Sequence, residues 1–179
     1  MSDPSAQWVL PGQKVDLCTF TIDDINPAYV SWLNDPVTMR FSNQRFLVHD
    51  RQSCLRYLES FKTSPNLFFS IRDKQTKLSI GTMTAYLAPQ HGTADMGILV
   101  GERSVWGQGF GLDAWSTLLR WLIDVQKIRK VTAGTLACND AMLRLMDKSG
   151  MRKEGEKKLH EIVNGQPYDV LYFARFRAD

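Results

Sequence analysis

The stretch ADMGILVGERSVWGQGFGLDAWSTLLRW, residues 94–121, changes its hydrophobic period half-way along. Residues 94–100 (ADMGILV) read as a strand. From Gly111 onward, Leu112, Trp115, Leu118, Leu119, Leu122 and Ile123 fall on one face of a helix. At the junction Gly107, Gly109 and Gly111 alternate. Glycine there lets successive backbone N–H groups point into one concavity, and the start of a helix adds partial positive charge. A strand, a glycine-rich turn and a helix in that order therefore predict a pyrophosphate site. No Gly-Lys-Ser/Thr follows, so the turn is not a Walker A loop. It ends a β-meander rather than opening a βαβ unit, which also separates it from a dinucleotide-binding turn.

Upstream of this stretch, residues 14–22 (KVDLCTFTI) alternate as a strand. Asp23-Asp24 offers a cap for a helix over Asn26 to Leu33, and Asn34-Asp35-Pro36 stops it, because the residue before proline is pushed out of helical geometry. A second helix is predicted over 50–62, then strands over 67–72 and 78–87, with a polar turn at 89–92 leading into 94–100. Downstream come a strand over 130–136, a helix over 140–149 stopped by Gly150, and strands over 159–163 and 169–177. The last two are joined by Asn164-Gly165-Gln166-Pro167, and Asn-Gly between alternating runs signals a hairpin. This order describes an α/β protein with one mixed sheet and helices on its faces. A flexible segment is expected over 1–13 and a single domain over 14–179, with Ser2 to Ala6 a loose end.

Composition narrows the partners. The 22 Lys and Arg against 19 Asp and Glu leave a net charge of +3, with no concentrated basic stripe, which excludes a nucleic-acid partner. Cys18, Cys54 and Cys138 are odd in number and lack metal-ligand spacing, so reduced thiols and no metal are expected. No basic and apolar leader opens the chain and no apolar run is long enough to cross a bilayer, so a soluble cytoplasmic protein is expected.

Trp106 to Gly111 resembles the R/Q-x-x-G-x-G/A motif of the GNAT (Gcn5-related N-acetyltransferase) superfamily, and more closely the RimJ/RimL-type branch, where an aromatic residue often opens the loop. The later run N-D-A-M-L-R-L-M-D-K-S-G-M, residues 139–151, is similar to that branch's N-x-A-S-x-R-L-x-x-K-x-G-F, and Glu154-Gly155 with the final hairpin matches its usual ending. The resemblance implies a central, mostly antiparallel sheet flanked by helices on both faces, and acetyl-CoA as co-substrate. It places the backbone of Leu99 and Val100 along the pantetheine arm. The loop Trp106, Gly107, Gln108, Gly109, Phe110 and Gly111 would bind the pyrophosphate, through the N–H groups of Gln108, Gly109 and Gly111. Asn139 would sit on the pantetheine chain, with Arg144 or Lys148 near its phosphate end. Many members carry at the position of Met146 a tyrosine that protonates the departing thiolate, and methionine has no proton to give.

An amine attacks a thioester only when neutral, so a base is needed. Asp95, on the strand leading into the loop, is the best-placed carboxylate; Glu102, His91, His160, Glu161 and Asp169 are weaker. The family builds its acceptor side from the first helices, their connecting loop and the last hairpin. Here that gives Trp32, Arg40, Phe41 and Asn43, with Arg45 nearby. Arginine forks and aromatic rings suit a nucleotide-linked acceptor, and Trp32-Leu33-Asn34-Asp35-Pro36 resembles acetyltransferases of nucleotide-linked amino sugars. A small-molecule amine of that kind leads. A protein N-terminus, a polyamine and a non-catalytic acyl-CoA-binding module are the alternatives. The loop 37–48 has no acid, which counts against a polyamine. Edge strands and the last hairpin leave a homodimer open.

Overall fold

The computed structural model describes residues 7–178. In chain order the elements are β1 (Val9–Pro11), β2 (Val15–Thr19), α1 (Pro27–Asn34), α2 (Arg51–Lys62), β3 (Leu67–Asp73), β4 (Ser79–Ala88) and β5 (Thr93–Val100). Then follow α3 (Phe110–Arg120), β6 (Lys130–Leu136), α4 (Asp140–Lys148), β7 (Arg152–Val163) and β8 (Gln166–Phe176). The strands form one eight-stranded sheet in the order β1-β2-β3-β4-β5-β6-β8-β7. Every neighbouring pair is antiparallel except β5 and β6.

Helices cover both faces. Ala114, Trp115, Leu118 and Leu119 of α3, and Leu122 just after it, are sealed against Leu17, Phe69, Ile71, Met83, Met96 and Val131, with Met146 of α4 in the same core. The helix ends in a π-helical turn over Trp121–Val125. On the other face Tyr29, Trp32, Cys54, Leu58 and Phe61 of α1 and α2 pack on Phe20 and Phe68. A third, smaller cluster of Leu136, Val163 and Val170, with Phe41 against it, lies under the last hairpin. Three helices start at side-chain caps: Asn26, Asp50 and Asn139 accept from the amides of Tyr29, Ser53 and Met142. The cap of α1 is thus Asn26 and not Asp23-Asp24, which belongs to a separate 3-10 turn over Ile22–Asp24. Gly150, at φ 78°, closes α4 as expected of a C′ glycine.

Several boundaries differ from expectation. Val9–Pro11 pairs with β2, so the sheet begins ahead of residue 14, within the segment expected to be flexible; the loose end expected at 2–6 lies outside the described residues. The first arm of the final hairpin begins at Arg152 rather than 159. Its run R-K-E-G-E-K-K hides the strand from any alternation rule, because an edge strand exposes most of its residues. The turn itself is two residues, Asn164 and Gly165, both at positive φ, and Gln166 already belongs to β8.

Candidate active site

The single parallel pairing creates the site. β5 and β6 are in register only at Thr93–Lys130, Ala94–Val131 and Asp95–Thr132. Beyond Asp95 the two strands part: β5 continues alone to Val100, and β6 turns to pair with β8 only. A slot therefore opens in the middle of the sheet, with Asp95 and Thr132 at its closed end and the glycine loop at the mouth.

β5 offers the slot backbone as well as side chains. The carbonyl of Val100 accepts the indole N–H of Trp106 at 2.9 Å, so it points away from β4. By the two-residue period of a strand, the carbonyl of Ile98 points the same way. That of Leu99 is turned to β4, so close that a Cβ on Gly81 would lie 2.1 Å from it.

At the mouth, Gly107 (φ 75°) and Gly109 (φ 86°) hold the loop in left-handed geometry, and Gly109 caps α3 without any side-chain bond. A Cβ at either glycine would meet nothing within 4 Å, so these positions face open space. The first amide of α3 to turn back is that of Asp113, onto Gly109. Among the described residues, the amides of Gly109, Phe110, Gly111 and Leu112 have no acceptor. Four unpaired donors at the start of a helix form an anion cradle. The amide of Gln108 is not among them: it bonds Val105 at 3.3 Å, and its side chain bonds the carbonyl of Ser104 at 2.5 Å. Gly111 lets α3 approach β5, since a Cβ there would lie 3.3 Å from Val100.

The loop is braced from a direction the sequence did not reveal. The Asp113 carboxylate accepts the amides of Gln13, Lys14 and Val15 at 3.0, 2.7 and 3.0 Å. This pins the β1–β2 turn to the first turn of α3. Lys14 thereby places its ammonium on the carbonyl of Gln108, at 2.8 Å, and over the ring of Phe110. The same peptide unit carries the free amide of Gly109 on its opposite edge. A cation on the carbonyl polarises that N–H toward an anion. Nothing in a single sequence marks Lys14 or Asp113, because residues about a hundred positions apart meet only once the sheet is built.

At the closed end, Asp95 projects from the face opposite the α3 core and accepts a bond from Thr132 Oγ1 at 2.6 Å. The carboxylate remains open to solvent, yet the protein crowded around it raises its pKa above the ordinary value; the Thr132 bond offsets part of that rise. Tyr86 stands directly across on β4 and shares a 2.6 Å hydroxyl contact with Tyr57 of α2. Burial pushes the Tyr57 phenol far up, so it stays protonated. The next row carries Gly97 beside Thr84 and Gly134 beside Tyr172, leaving the slot walls low.

Of the residues expected on the acceptor side, Trp32 belongs to α1, whereas Arg40, Phe41 and Asn43, with Arg45, belong to an Ω-shaped strap, 35–48, closed at its neck by Asn34. Asn34 donates to the carbonyl of His49 at 2.8 Å and accepts its amide at 2.9 Å. Phe41 reaches the hairpin cluster, Asn43 bonds Glu161 at 3.2 Å, and Arg45 bonds the carbonyl of Ile162 at 2.9 Å. The strap thus spans from α1 to the last hairpin, across the face that bears Asp95. Arg45 is consumed in holding it, whereas Arg40 lies exposed over the Phe41 ring at 4.6 Å. Trp32 is buried, packed on Gly101 just beyond β5. Asn139 acts as the α4 cap. Arg144 and Lys148 are exposed on α4, whose Leu145 approaches Gly111. Met146 is wholly buried in the core, so position 146 offers the slot neither a proton nor a surface.

Residues 14–152 match the family model described as the acetyltransferase (GNAT) domain. The chain belongs to the GNAT family of N-acetyltransferases. Over 170 residues it is 24% identical to the uncharacterized N-acetyltransferase YoaA of Bacillus subtilis, covering 93% of this chain and 95% of that protein. Among solved structures, RimL, a ribosomal L7/L12 alpha-N-protein acetyltransferase in complex with coenzyme A, superposes with a TM-score of 0.81 at 16% identity, covering 94% of this chain and 98% of RimL. The spermidine N-acetyltransferase of Vibrio cholerae, in complex with CoA and spermine, gives 0.81 at 17%, covering 92% and 96%. One of these is named for a protein acceptor and the other for a small one, so the likeness fixes the fold and leaves the acceptor class open. No helix of the described residues is long and apolar enough to cross a membrane.

Proposed function

We propose that this GNAT enzyme transfers the acetyl group of acetyl-CoA to a primary amine of a small molecule, by direct attack within a ternary complex, with Asp95 as the base. One observation carries the reading: the slot that opens beyond the Asp95–Thr132 pair has a carboxylate of raised pKa at its closed end and four free amides at its mouth. The residues fit the cofactor. The amides of Gly109 to Leu112 suit a pyrophosphate, backbone groups of Ile98 and Val100 suit the amides of a pantetheine arm, and Asn139 caps α4 just beyond the end of β6. Acetyl-CoA, when bound, supplies a thioester carbonyl.

The protein's own part is to hold the amine and move its proton. Asp95, ionised, accepts a proton from the ammonium form directly or through one water. The neutral nitrogen then forms the C–N bond as the C–S bond breaks; the second N–H proton passes through water at the mouth to the departing sulfur, and the proton held by Asp95 leaves to solvent. Thr132 aims the carboxylate, and its hydrogen bond is stronger while Asp95 is ionised. No nucleophilic side chain is required.

The strap over this face favours an acceptor that enters as a compact molecule. Arg40 stacked on Phe41 is the strap's available guanidinium and supports a phosphate-bearing acceptor such as a nucleotide-linked amino sugar. The exposed run Phe46, Leu47 and Val48, where the strap returns to His49, favours the second reading, a protein N-terminus. Thiol release from acetyl-CoA with nucleotide-linked amino sugars, polyamines, amino acids and N-terminal peptides separates these. Turnover confined to amino sugars is expected. Turnover on peptides instead would move the enzyme to the protein acceptors, and acetyl-CoA binding with silence across the panel would favour a non-catalytic module.

A further inference from the structure

Two neighbouring contacts tie the strap, and the helix from which it leaves, to the cofactor loop. The Asp35 carboxylate binds Arg103 of the turn Arg103–Val105, while also accepting the hydroxyl and the amide of Thr38, the latter at 2.8 Å. Arg103 and Thr38 together hold the Asp35 carboxyl well below the usual carboxylate range. Three residues earlier, the Trp32 indole lies on Gly101. Arg103 is also in the turn that orients the loop: its carbonyl accepts the amide of Trp106, whose indole in turn holds Val100. A continuous path therefore runs from the amide cradle through Trp106 and Arg103 to Asp35, and from Asp35 into the strap bearing Arg40, Phe41 and Asn43.

From this we infer that Asp35 is a positioning residue that couples the cofactor loop to the acceptor strap: a settled loop presents Arg103 to Asp35, and Asp35 then holds the strap closed over the slot. The inference rests on the acetyl-CoA reading of the loop. An exposed ion pair by itself stabilises little. What gives this one leverage is that a single carboxylate closes the Thr38 turn at the start of the strap and meets the loop at the same time, so each element biases the geometry of the other.

The experiment is hydrogen exchange at backbone amides with and without CoA, in the wild type, in Asp35→Asn and in Arg103→Met. In the wild type CoA is expected to slow exchange in the loop 101–112 and also in the strap 37–48, the latter by about fivefold or more, the lower end of ordinary coupling. In either variant the loop should still respond while the strap response falls to near one. A strap unaffected by CoA in the wild type, or equally affected in both variants, overturns the inference. A loop that ignores CoA in the wild type instead overturns the cofactor reading beneath it. Unfolding transitions of the three proteins exclude a general loss of structure, and Arg103→Met keeps the test open should Asp35→Asn not fold.

Discussion

The indole of Trp32 lies on the α-carbon of Gly101, so closely that a methyl group there would sit 2.0 Å from the ring. This contact seats α1 against the end of β5, where the slot meets the cofactor loop. Gly101→Ala must move either the indole or the strand. The expected cost is about 1–3 kcal/mol, typical of forced overpacking, visible as a lower midpoint in urea unfolding. Trp32→Ala should cost about 3–5 kcal/mol through the cavity it leaves. In the double variant the methyl has room, so the two costs should fall short of additive.

Asp95→Asn should lower kcat by about a hundredfold to ten-thousandfold, the usual contribution of a general base, with KM for acetyl-CoA nearly unchanged. The pH dependence gives a sharper test. The proposed base must be ionised to act, and its pKa is raised. The acid limb of kcat/KM should therefore lie above the ordinary carboxylate value and vanish in the Asn variant. The Thr132 bond favours the ionised form, so Thr132→Val should move that limb to higher pH. A limb that moves down, or not at all, would remove Asp95 from the mechanism.

The glycine loop depends on backbone conformation rather than on space. A Cβ at Gly107 or Gly109 meets nothing, but both residues are at positive φ. Alanine at Gly109 should cost about 1–2 kcal/mol of loop geometry and appear mainly as a higher KM for acetyl-CoA, measured by initial rates.

Lys14 acts on the same loop from outside. Lys14→Met should raise KM for acetyl-CoA several-fold and leave KM for acetyl-pantetheine, which lacks the phosphates, unchanged. Asp113→Asn should reproduce that effect and also destabilise the fold by about 1–3 kcal/mol, since three amides lose a charged acceptor. Calorimetry and initial rates with both thioesters check this.

The start of α1 was misread, since Asn26 and not Asp23-Asp24 caps it, but most of the sheet was legible because its strands alternate, and Pro36 and Gly150 stop helices in plain chemistry. The glycine loop was legible for the same reason, since Gly107 and Gly109 are needed at positive φ. β1 was not, because three residues of which two are exposed carry no period. The long β7 edge was hidden by its charges. At the site, Asp95 could be named from its place before the loop, but its partner Thr132 follows only from the β5–β6 register. Arg45 looked like a phosphate ligand by type and proves to be a brace, bonded to Ser42, Asn43 and Ile162. Residue type shows what a side chain can do; what remains free to do it depends on contacts between distant segments.

The most direct test is a titration of the 15N-labelled protein with CoA and, separately, with pantetheine, following each backbone amide. The account predicts that Gly109, Phe110, Gly111 and Leu112 shift with CoA and stay still with pantetheine, while Ile98 and Val100 shift with both. Loop amides that ignore CoA, or that respond equally to pantetheine, would contradict it.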